Sequence, residues 1–467
     1  MNLTNRIFYR LPYFAQIWAA SLAGYQREWR RYDASLEQRV EEILAREGWS
    51  AEQWQNWQSE RLEQVLDHAA KTVPFYSSFW MERRLHGDYA KHNDLEKWPI
   101  LTKKYLREHP KAFVSRESSF RNLHEEHTSG STGTPLTLWR SNETEKAWYA
   151  VFEARLRRWY GVHHKTPWGI FGGQIIVPAD RKKPPFWVWN HASQQLYLSV
   201  YHLSVDNSPA YAQAILRKGL EYILGYPSAL AALAANCLKA GIDLPQMRAV
   251  FTNAEPLYDW QRSAIQAAFR CPVVNTYGLS EICCAAGECA HGTLHQWPEV
   301  GRIEILGLDS NQPARIGETG RLVCTGLLNL DMPLIRYEVG DLASESLMPP
   351  CVCGRLLPAF RAIEGRSDDV LFARDGRPIG RLDPIFKSDF DISEAQIIQR
   401  EIDWIDVLLV PGKRFSEGDA QEIRQRVIER MGAITVNIEM VQSIPRGPNG
   451  KFKMVVNELF AGQVIKE

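Results

Sequence analysis

The chain has 467 residues, more than one hydrophobic core usually organises, so we expect two or three domains. Its 55 basic residues balance 55 acidic ones, which gives no electrostatic case for nucleic acid or an anionic membrane as the main partner. Eight cysteines in a chain of this length are typical of a reduced, cytoplasmic protein and argue against a disulfide scaffold.

The N-terminal segment 11–25 is fairly apolar and follows Arg6 and Arg10, an order that superficially mimics a signal peptide. Gln16 interrupts the apolar run, and a basic, aromatic stretch at 27–32 follows directly. The run is also too short to span a bilayer, which takes about 18 apolar residues or more. We therefore expect an amphipathic helix, which lies either on the core or, as a peripheral contact, on a membrane surface.

Helical and strand-like patterns alternate along the next part of the chain. Ser50 and Gln53 form a capping-box pattern that begins a helix, and Val73-Pro74 ends it. The Ala- and Leu-rich segment 229–240 also indicates a helix. Together with the strand-like runs, these segments predict an α/β domain with its sheet flanked by helices. The runs lie at 168–171, 222–224, 249–251 and 273–275.

The pattern changes after Gly365-Arg366. Short strand-like runs at 370–373, 406–410 and 435–441 surround a charged helical segment at 417–431. This second pattern predicts a small α+β domain at the C-terminal end.

The segment 128–135 reads Thr-Ser-Gly-Ser-Thr-Gly-Thr-Pro and suggests a loop that wraps a polyphosphate. Glycine permits close backbone approach, and the hydroxyl groups add hydrogen-bond donors for phosphate oxygens. The loop is not a Walker motif, because Thr134-Pro135 follows Gly133 where that motif has Lys-Ser or Lys-Thr. Taken alone, the same residues are equally typical of a polar surface loop.

Further motifs follow this loop in a fixed order, and together they carry a resemblance to a known family. The chain resembles the adenylate-forming enzymes, and within them the phenylacetate-CoA ligase and CapK-like branch, which also holds synthetases that adenylylate a deazaflavin. The resemblance runs from about residue 62 to residue 451. The motifs are Asn253-Ala254-Glu255-Pro256, Thr276-Tyr277-Gly278-Leu279-Ser280-Glu281, Arg336-Tyr337 with Gly340-Asp341, Gly365-Arg366-Ser367-Asp368-Asp369, and Pro445-Arg446-Gly447-Pro448-Asn449-Gly450-Lys451.

The resemblance implies a large adenylate-forming α/β domain followed by a small α+β lid domain. Residues 1–112 would be a helical part of the large domain, 113–365 the nucleotide- and substrate-binding core, and 366–467 the lid. It implies an ATP-dependent, AMP-forming ligase that converts an acyl or aryl acid to an acyl-adenylate. The acyl group would then pass to CoA or to an amine or hydroxyl acceptor. Two alternatives stay open: an adenylyltransferase that leaves AMP on its substrate, and a catalytically silent nucleotide-binding homologue.

The resemblance places the acyl pocket at segments 171–173, 201–202 and 225–228. It also implies roles for individual residues. Lys451, Glu281 and Thr128 would be catalytic, with Glu281 binding Mg²⁺, and Asp368 would be the hinge of the lid. The nucleotide-binding residues would be Ser129, Gly130, Ser131, Thr132, Gly133, Ala254, Glu255, Pro256, Tyr277, Gly278, Ser280, Asp341 and Arg366. The motif at 449–451 has Asn where the family usually shows Ser, and Gly376-Arg377-Pro378 stands where the CoA ligases show another segment, which puts the CoA step in doubt.

A separate group of thiols and imidazoles could close a structural zinc site, although its Cys-x-His and Cys-x-Cys spacings are tighter than those of common zinc fingers. Cys289 and His291 form one short pair, and Cys351 and Cys353 form another, with soft and borderline ligands that suit a closed tetrahedral site. Similar pairs in relatives of this branch support the assignment, and His295 is the rival fourth ligand. The neighbouring Cys283 and Cys284 are expected to be packing residues.

Overall fold

The computed structural model describes residues 8–127, 136–178, 181–346, 351–366, 371–374, 378–379, 382–386, 390–432, 434–446 and 452–459. The chain divides into two compact units. The first comprises 1–257, 261–339 and 343–362, and the second comprises 258–260, 340–342 and 363–467. The long segment of the second unit begins at Ile363.

The helices of the first unit are concentrated before the sheet and between its parallel strands. Ser50 accepts a hydrogen bond from the Gln53 amide and the Gln53 side chain returns one, so the predicted capping box begins the third helix. The helices are α1 Tyr13–Arg31, α2 Leu36–Ala45, α3 Ala51–Thr72, α4 Pro74–Leu85, α5 Lys103–Glu108, α6 Asn142–Phe152, α7 Ser208–Arg217, α8 Pro227–Ala240 and α9 Asp259–Phe269.

One 12-stranded mixed sheet runs through the large domain, beside a small hairpin formed by β1 His124–His127 and β2 Thr137–Arg140. Its strands are β3 Trp168–Gly172, β4 Trp187–Asn190, β5 Gln195–Ser199, β6 Tyr222–Gly225, β7 Ala249–Thr252, β8 Val273–Gly278, β9 Ala285–Glu288, β10 Leu294–Gln296, β11 Gly301–Leu306, β12 Gly320–Gly326, β13 Tyr337–Glu345 and β14 Ala359–Arg366. The strand order is β11-β12-β13-β14-β10-β9-β8-β7-β6-β3-β5-β4.

The part of this sheet from β8 to β5 is parallel, as the pairings of β8 with β7, β7 with β6, β6 with β3 and β3 with β5 show. Apolar side chains of these strands and of α7, α8 and α9 form one buried core, which includes Phe171, Ile223 and Phe269. Other side chains of the same strands form a second buried core, which includes Trp168, Tyr222 and apolar residues of α2 and α6. The predicted α/β architecture, with a sheet between helices, is confirmed.

The second unit has its own sheet and its own core. Its elements are β15 Leu371–Phe372, β16 Pro378–Ile379, β17 Ile392–Glu401, β18 Trp404–Pro411, α10 Glu417–Met431, β19 Thr435–Met440 and β20 Val455–Asn457. Four of its strands form a sheet in the order β19-β18-β17-β20, and apolar side chains of the strands and α10 are buried together. Ser416 and Asp419 form the capping box that begins α10 at the residue predicted from the sequence.

Among the described residues, we find no helix long and apolar enough to cross a membrane.

Candidate active site

Two of the predicted motifs, 253–256 and 276–281, lie at one edge of the large sheet. Parallel strands β3, β5, β6, β7 and β8 end at Gly172, Ser199, Gly225, Thr252 and Gly278, and their carboxyl ends lie side by side because the strands are paired in register. The loops that leave these ends carry the segments expected to bind acid and nucleotide. Crevices outside the carboxyl ends of parallel strands are the usual ligand-binding place in open α/β sheets.

The loop after β7 holds its motif in a constrained conformation. Ala254 has a φ of 65°, in the left-handed region that a residue with a side chain rarely adopts. Glu255 accepts hydrogen bonds from the amide and the hydroxyl of Ser228, each at 3.1 Å, and Ser228 lies in the first turn of α8. A carboxylate is favourable at a helix N-terminus, so this contact fixes the loop against α8 while Ala254 and Pro256 stay exposed.

The end of β8 presents the second motif. The ring of Tyr277 is half-buried and meets Phe360 edge-on, with 6.3 Å between ring centroids. The Thr276 hydroxyl donates to the Thr252 carbonyl at 2.7 Å, which links this strand end to that of β7. Gly278 and Ser280 are exposed beyond them. An exposed turn next to a fixed aromatic ring offers an apolar face and backbone groups to a planar base.

Glu281 is half-buried at the end of this motif. Its Oε1 accepts a hydrogen bond of 2.9 Å from the Tyr337 hydroxyl, which bridges 56 residues of sequence. Burial raises the pKa of Glu281 above its ordinary value, and the charge of Lys103 opposes that rise. The next residue, Ile282, has a φ of 51°, a second strained position at this edge of the sheet.

Tyrosines border the other end of the edge, where an acid was expected to bind. The Tyr201 hydroxyl donates to the Gly173 carbonyl at 2.9 Å, and the Tyr226 amide donates to the Phe171 carbonyl at 2.9 Å. Tyr201 is partly exposed, whereas Tyr226 is buried. His202 is a buried structural group whose ring contacts the Ser199 hydroxyl at 2.8 Å and the Pro178 carbonyl at 3.1 Å.

Other predicted site residues are placed separately or lie outside the described residues. Asp341 is a buried residue of β13, and Arg366 is the last residue of β14. Outside the described residues lie Thr128, Ser129, Gly130, Ser131, Thr132, Gly133, Asp368 and Lys451. Their roles stay predictions.

Four predicted zinc ligands meet next to the β9–β10 hairpin. One donor atom each from Cys289, His295, Cys351 and Cys353 lies within 4.8 Å of every other. The Cys289 and Cys351 sulfurs are 3.7 Å apart, and the Cys353 sulfur is 3.4 Å from His295 Nε2. A tetrahedral zinc with Zn–S of ~2.3 Å and Zn–N of ~2.05 Å requires separations of about 3.8 Å and about 3.6 Å for these pairs. The donors therefore fit a closed Cys₃His zinc site.

His291, the histidine that the sequence analysis preferred as the fourth zinc ligand, is not in this group. His291 is exposed in the turn between β9 and β10, where Gly292 donates to the Cys289 carbonyl and Cys289 donates to the Thr293 carbonyl. His295 pairs with Gly287 in the hairpin register, and this places its ring beside Cys353. The expectation that His291 completes the group is therefore corrected in favour of its rival.

Groups around the cluster orient its ligands. The Leu357 carbonyl lies 3.3 Å from His295 Nδ1, so Nδ1–H donates to it and Nε2 keeps its lone pair toward Cys353. Burial lowers the pKa of His295, which favours the neutral, ligating imidazole. Arg355 Nε donates to Glu47 at 2.9 Å and the Leu356 amide donates to the Glu47 carbonyl at 3.0 Å. These contacts attach the loop that carries Cys351 and Cys353, here called the cysteine loop, to Glu47 just after the C-terminal end of α2.

Three further thiols, from Cys283, Cys284 and Cys324, are fully buried and lie within 4.8 Å of one another. Burial raises the pKa of Cys283 and of Cys324, which keeps both thiols protonated and unreactive.

Sequence reasoning missed two groups near Glu281. Tyr337 belongs to a recognised motif, but nothing in the sequence pointed to its hydroxyl as the partner of a carboxylate. Lys103, at the start of α5, gave no signal at all because isolated lysines are common on helix surfaces.

Comparison with known proteins gives matches over both units. The family model described as the CapK C-terminal domain matches residues 371–458. The chain is 26% identical over 408 residues to Protein CapK of Staphylococcus aureus, a match that covers 86% of this chain and 89% of that protein. It is 28% identical over 332 residues to a phenylacetate-coenzyme A ligase of Aromatoleum evansii, covering 68% and 71% of the two chains.

A solved structure of 2-hydroxyisobutyryl-CoA ligase in the postadenylation state, in complex with R3-HIB-AMP, matches with a TM-score of 0.68 at 19% identity. That match covers 88% of this chain and 91% of the ligase chain, and at this identity it demonstrates a common fold.

Proposed function

We propose that this chain, a member of the CapK- and phenylacetate-CoA ligase-like branch of adenylate-forming enzymes, is an ATP-dependent, AMP-forming ligase that activates a carboxylic acid. The observation that carries the proposal is that the segments predicted to bind the acid and the adenine leave the same carboxyl edge of the parallel strands. Acid and ATP must meet in one place for the reaction, and this edge offers one place to both.

The chemistry needs little from the protein beyond position and charge. A carboxylic acid has a pKa near 4 and is ionised at neutral pH, so it can attack the α-phosphorus of ATP without a general base. The P–O bond to pyrophosphate breaks as the new C(O)O–P bond forms, and negative charge grows on the phosphate oxygens. Donors and cations that meet this charge lower the barrier. We assign that task to loop 128–133 and to Lys451.

Glu281 fits a magnesium ligand by its chemistry. Its carboxylate is a hard oxygen donor, and burial has raised its pKa, so a bound cation would restore the charge that burial disfavours. The Tyr337 hydroxyl holds one carboxylate oxygen in a fixed direction. Magnesium would supply charge neutralisation to the phosphates at this position.

Zinc has a structural role in the proposal. Three thiolates and one imidazole would fill a tetrahedral coordination shell and leave no position for substrate. The metal would join the β9–β10 hairpin to the cysteine loop, and through Arg355 and Glu47 to the N-terminal helices.

The acceptor defines the finer part of the proposal. We infer transfer of the acyl group to CoA or to an amine or hydroxyl acceptor, with CoA favoured because the chain resembles CoA ligases. The second candidate is an adenylyltransferase that keeps AMP on its substrate, which the departure from the CoA-ligase pattern at Gly376-Arg377-Pro378 supports.

One experiment tests both the activation of the acid and the fate of the acyl group and AMP. Purified protein is incubated with ATP, Mg²⁺ and a panel of aryl and acyl acids, and pyrophosphate release is measured with and without CoA. Mass spectrometry then asks whether AMP is freed or retained. Pyrophosphate release with free AMP and an acyl thioester supports the ligase, whereas AMP retained on the product supports the adenylyltransferase. Failure of every acid to release pyrophosphate would remove the proposal.

A further inference from the structure

Helix α1 turns an unbroken apolar stripe toward solvent. Its large side chains recur at intervals of three and four residues, so they occupy one face, and the stripe runs for about 22 Å at 1.5 Å per residue. The exposed fractions are 68% for Phe14, 75% for Trp18, 68% for Leu22, 66% for Tyr25 and 74% for Trp29.

The orientation of α1 is specified by its buried face. Ser21 donates to the Ile17 carbonyl and accepts from the His191 amide at 3.0 Å, so a polar side chain is satisfied inside. Gly24 is also buried, and a Cβ there would collide with the Asn190 side-chain amide. Because these contacts require small or polar residues inward, the helix cannot turn its aromatic stripe to the core without losing them.

Positive charge lies at both ends of the stripe. At the N-terminal end Arg10 is exposed, and the exposed Lys182 and Lys183 adjoin Arg181, whose charge reaches the Tyr13 hydroxyl. The Tyr9 hydroxyl donates to the Ile175 carbonyl at 2.8 Å, so the segment before these lysines also lies beside this end.

The C-terminal end of α1 carries Arg27, Arg30 and Arg31, against a single acid of the helix, Glu28. Arg30 and Arg31 are 3.9 Å and 3.6 Å from Glu145, a buried carboxylate that also pairs with Arg140. Arg140 is also paired with Glu126, so Arg27, Arg30 and Arg31 stand against Glu28 and Glu145, and this end keeps a small positive excess. At the other end of α1, the acid nearest in sequence to Arg181, Lys182 and Lys183 is Asp180.

This arrangement discriminates between the occupants that could cover the stripe. If two copies paired through it, parallel or antiparallel helices would both bring basic ends together, and like charges at an interface are costly. An anionic lipid surface is complementary to both ends at once. Tryptophan, tyrosine and phenylalanine are also the side chains that sit at the headgroup level of a bilayer.

We propose that the α1 stripe docks this protein on the surface of anionic membranes, with the helix lying in the interface plane and its inner face still packed on the protein. Phe14, Trp18, Leu22, Tyr25 and Trp29 enter the headgroup region, and the basic groups at both ends contact lipid phosphates. The near-neutral charge of the whole chain does not oppose this, because the contact depends on local charge within a screening length.

The test is co-sedimentation of the full-length protein with vesicles of phosphatidylcholine alone or with about one third phosphatidylglycerol. The wild-type protein should sediment with the anionic vesicles. Trp18→Ser with Trp29→Ser should weaken binding about a hundredfold, because two large apolar side chains no longer leave water. The matched control is Leu85→Ala with Tyr89→Ala, which removes two residues that are 81% and 80% exposed elsewhere and should bind as the wild type does.

Charge is tested separately. Lys182→Gln with Lys183→Gln should weaken binding to anionic vesicles by about fivefold per lysine and leave binding to neutral vesicles unchanged. Absence of wild-type binding to anionic vesicles, or equal binding by the tryptophan variant and its control, would overturn the proposal. Dimers that form without lipid and are lost in the tryptophan variant would assign the stripe to a second copy instead. None of these readouts depends on adenylation.

Discussion

Replacing His295 by alanine should remove the zinc, whereas replacing His291 by alanine should leave it in place. The Cys289–Cys351 and Cys353–His295 separations of 3.7 Å and 3.4 Å lie within about 0.2 Å of the edges of a zinc tetrahedron, so these two pairs already have the spacing of zinc ligands. Structural zinc sites bind with about 12 kcal/mol, or about 3 kcal/mol per ligand, so the loss of one ligand should weaken zinc affinity by about 150-fold.

The assay is a chelator competition followed by metal analysis of the desalted protein. The wild type and His291→Ala should each retain about one zinc per chain, and His295→Ala should lose it to a chelator concentration that the others resist. Because Arg355 and Leu356 contact Glu47, hydrogen exchange should also accelerate near residue 47 when the metal leaves. Zinc retained by His295→Ala but lost by His291→Ala would refute the ligand assignment, and a metal-free wild type would refute the site.

Three predictions concern catalysis. Lys451→Ala should slow adenylation by about a hundredfold and change ATP affinity little, as measured by pyrophosphate release and calorimetry; near-normal release would contradict its role. Glu281→Gln should lower turnover by about a hundredfold yet stabilise the fold at neutral pH. Burial raises the pKa of Glu281 above its ordinary value of 4.5, so the wild-type protein loses stability as the pH rises from 4.5 through that raised pKa, and glutamine avoids this loss. Melting curves that show no such gain, or a gain that persists below pH 4.5, would count against this. Asp368→Pro should impair only the half-reaction that its fixed φ excludes, whereas equal loss of adenylation and transfer would argue against a hinge.

Elements with strong local signals could be predicted from the sequence. The capping boxes at Ser50 and Ser416 begin helices where expected, and the strand-like runs at 222–224 and 249–251 became β6 and β7 with one further residue each. Local patterns suffice here because caps and period-2 apolar runs act within a few residues. The family resemblance is confirmed as well. It could be read from the sequence because its motifs are short segments that can be read one at a time.

Contacts that depend on register could not be predicted in the same way. Whether His291 or His295 faces the cysteines is decided by the β9–β10 hairpin, whose turn leaves His291 outside. The Tyr337–Glu281 hydrogen bond joins segments that are 56 residues apart. The amphipathic character of α1 was readable, but its direction was not, since it follows from contacts with Ser21 and Gly24 made by a distant strand and turn.

Gly24 and its contact with Asn190 offer a way to compare the orientation of this helix among related chains. The space opposite Asn190 admits a hydrogen atom and excludes a methyl group, so Gly24 acts together with Ser21 to fix which side of a long helix meets the solvent. A relative that carries a larger residue at the equivalent position would have to move the Asn190 side chain, replace it by a smaller one, or shift the helix. The pair at 24 and 190 is therefore a compact marker by which homologues that display an outward aromatic face can be distinguished from those that hide it.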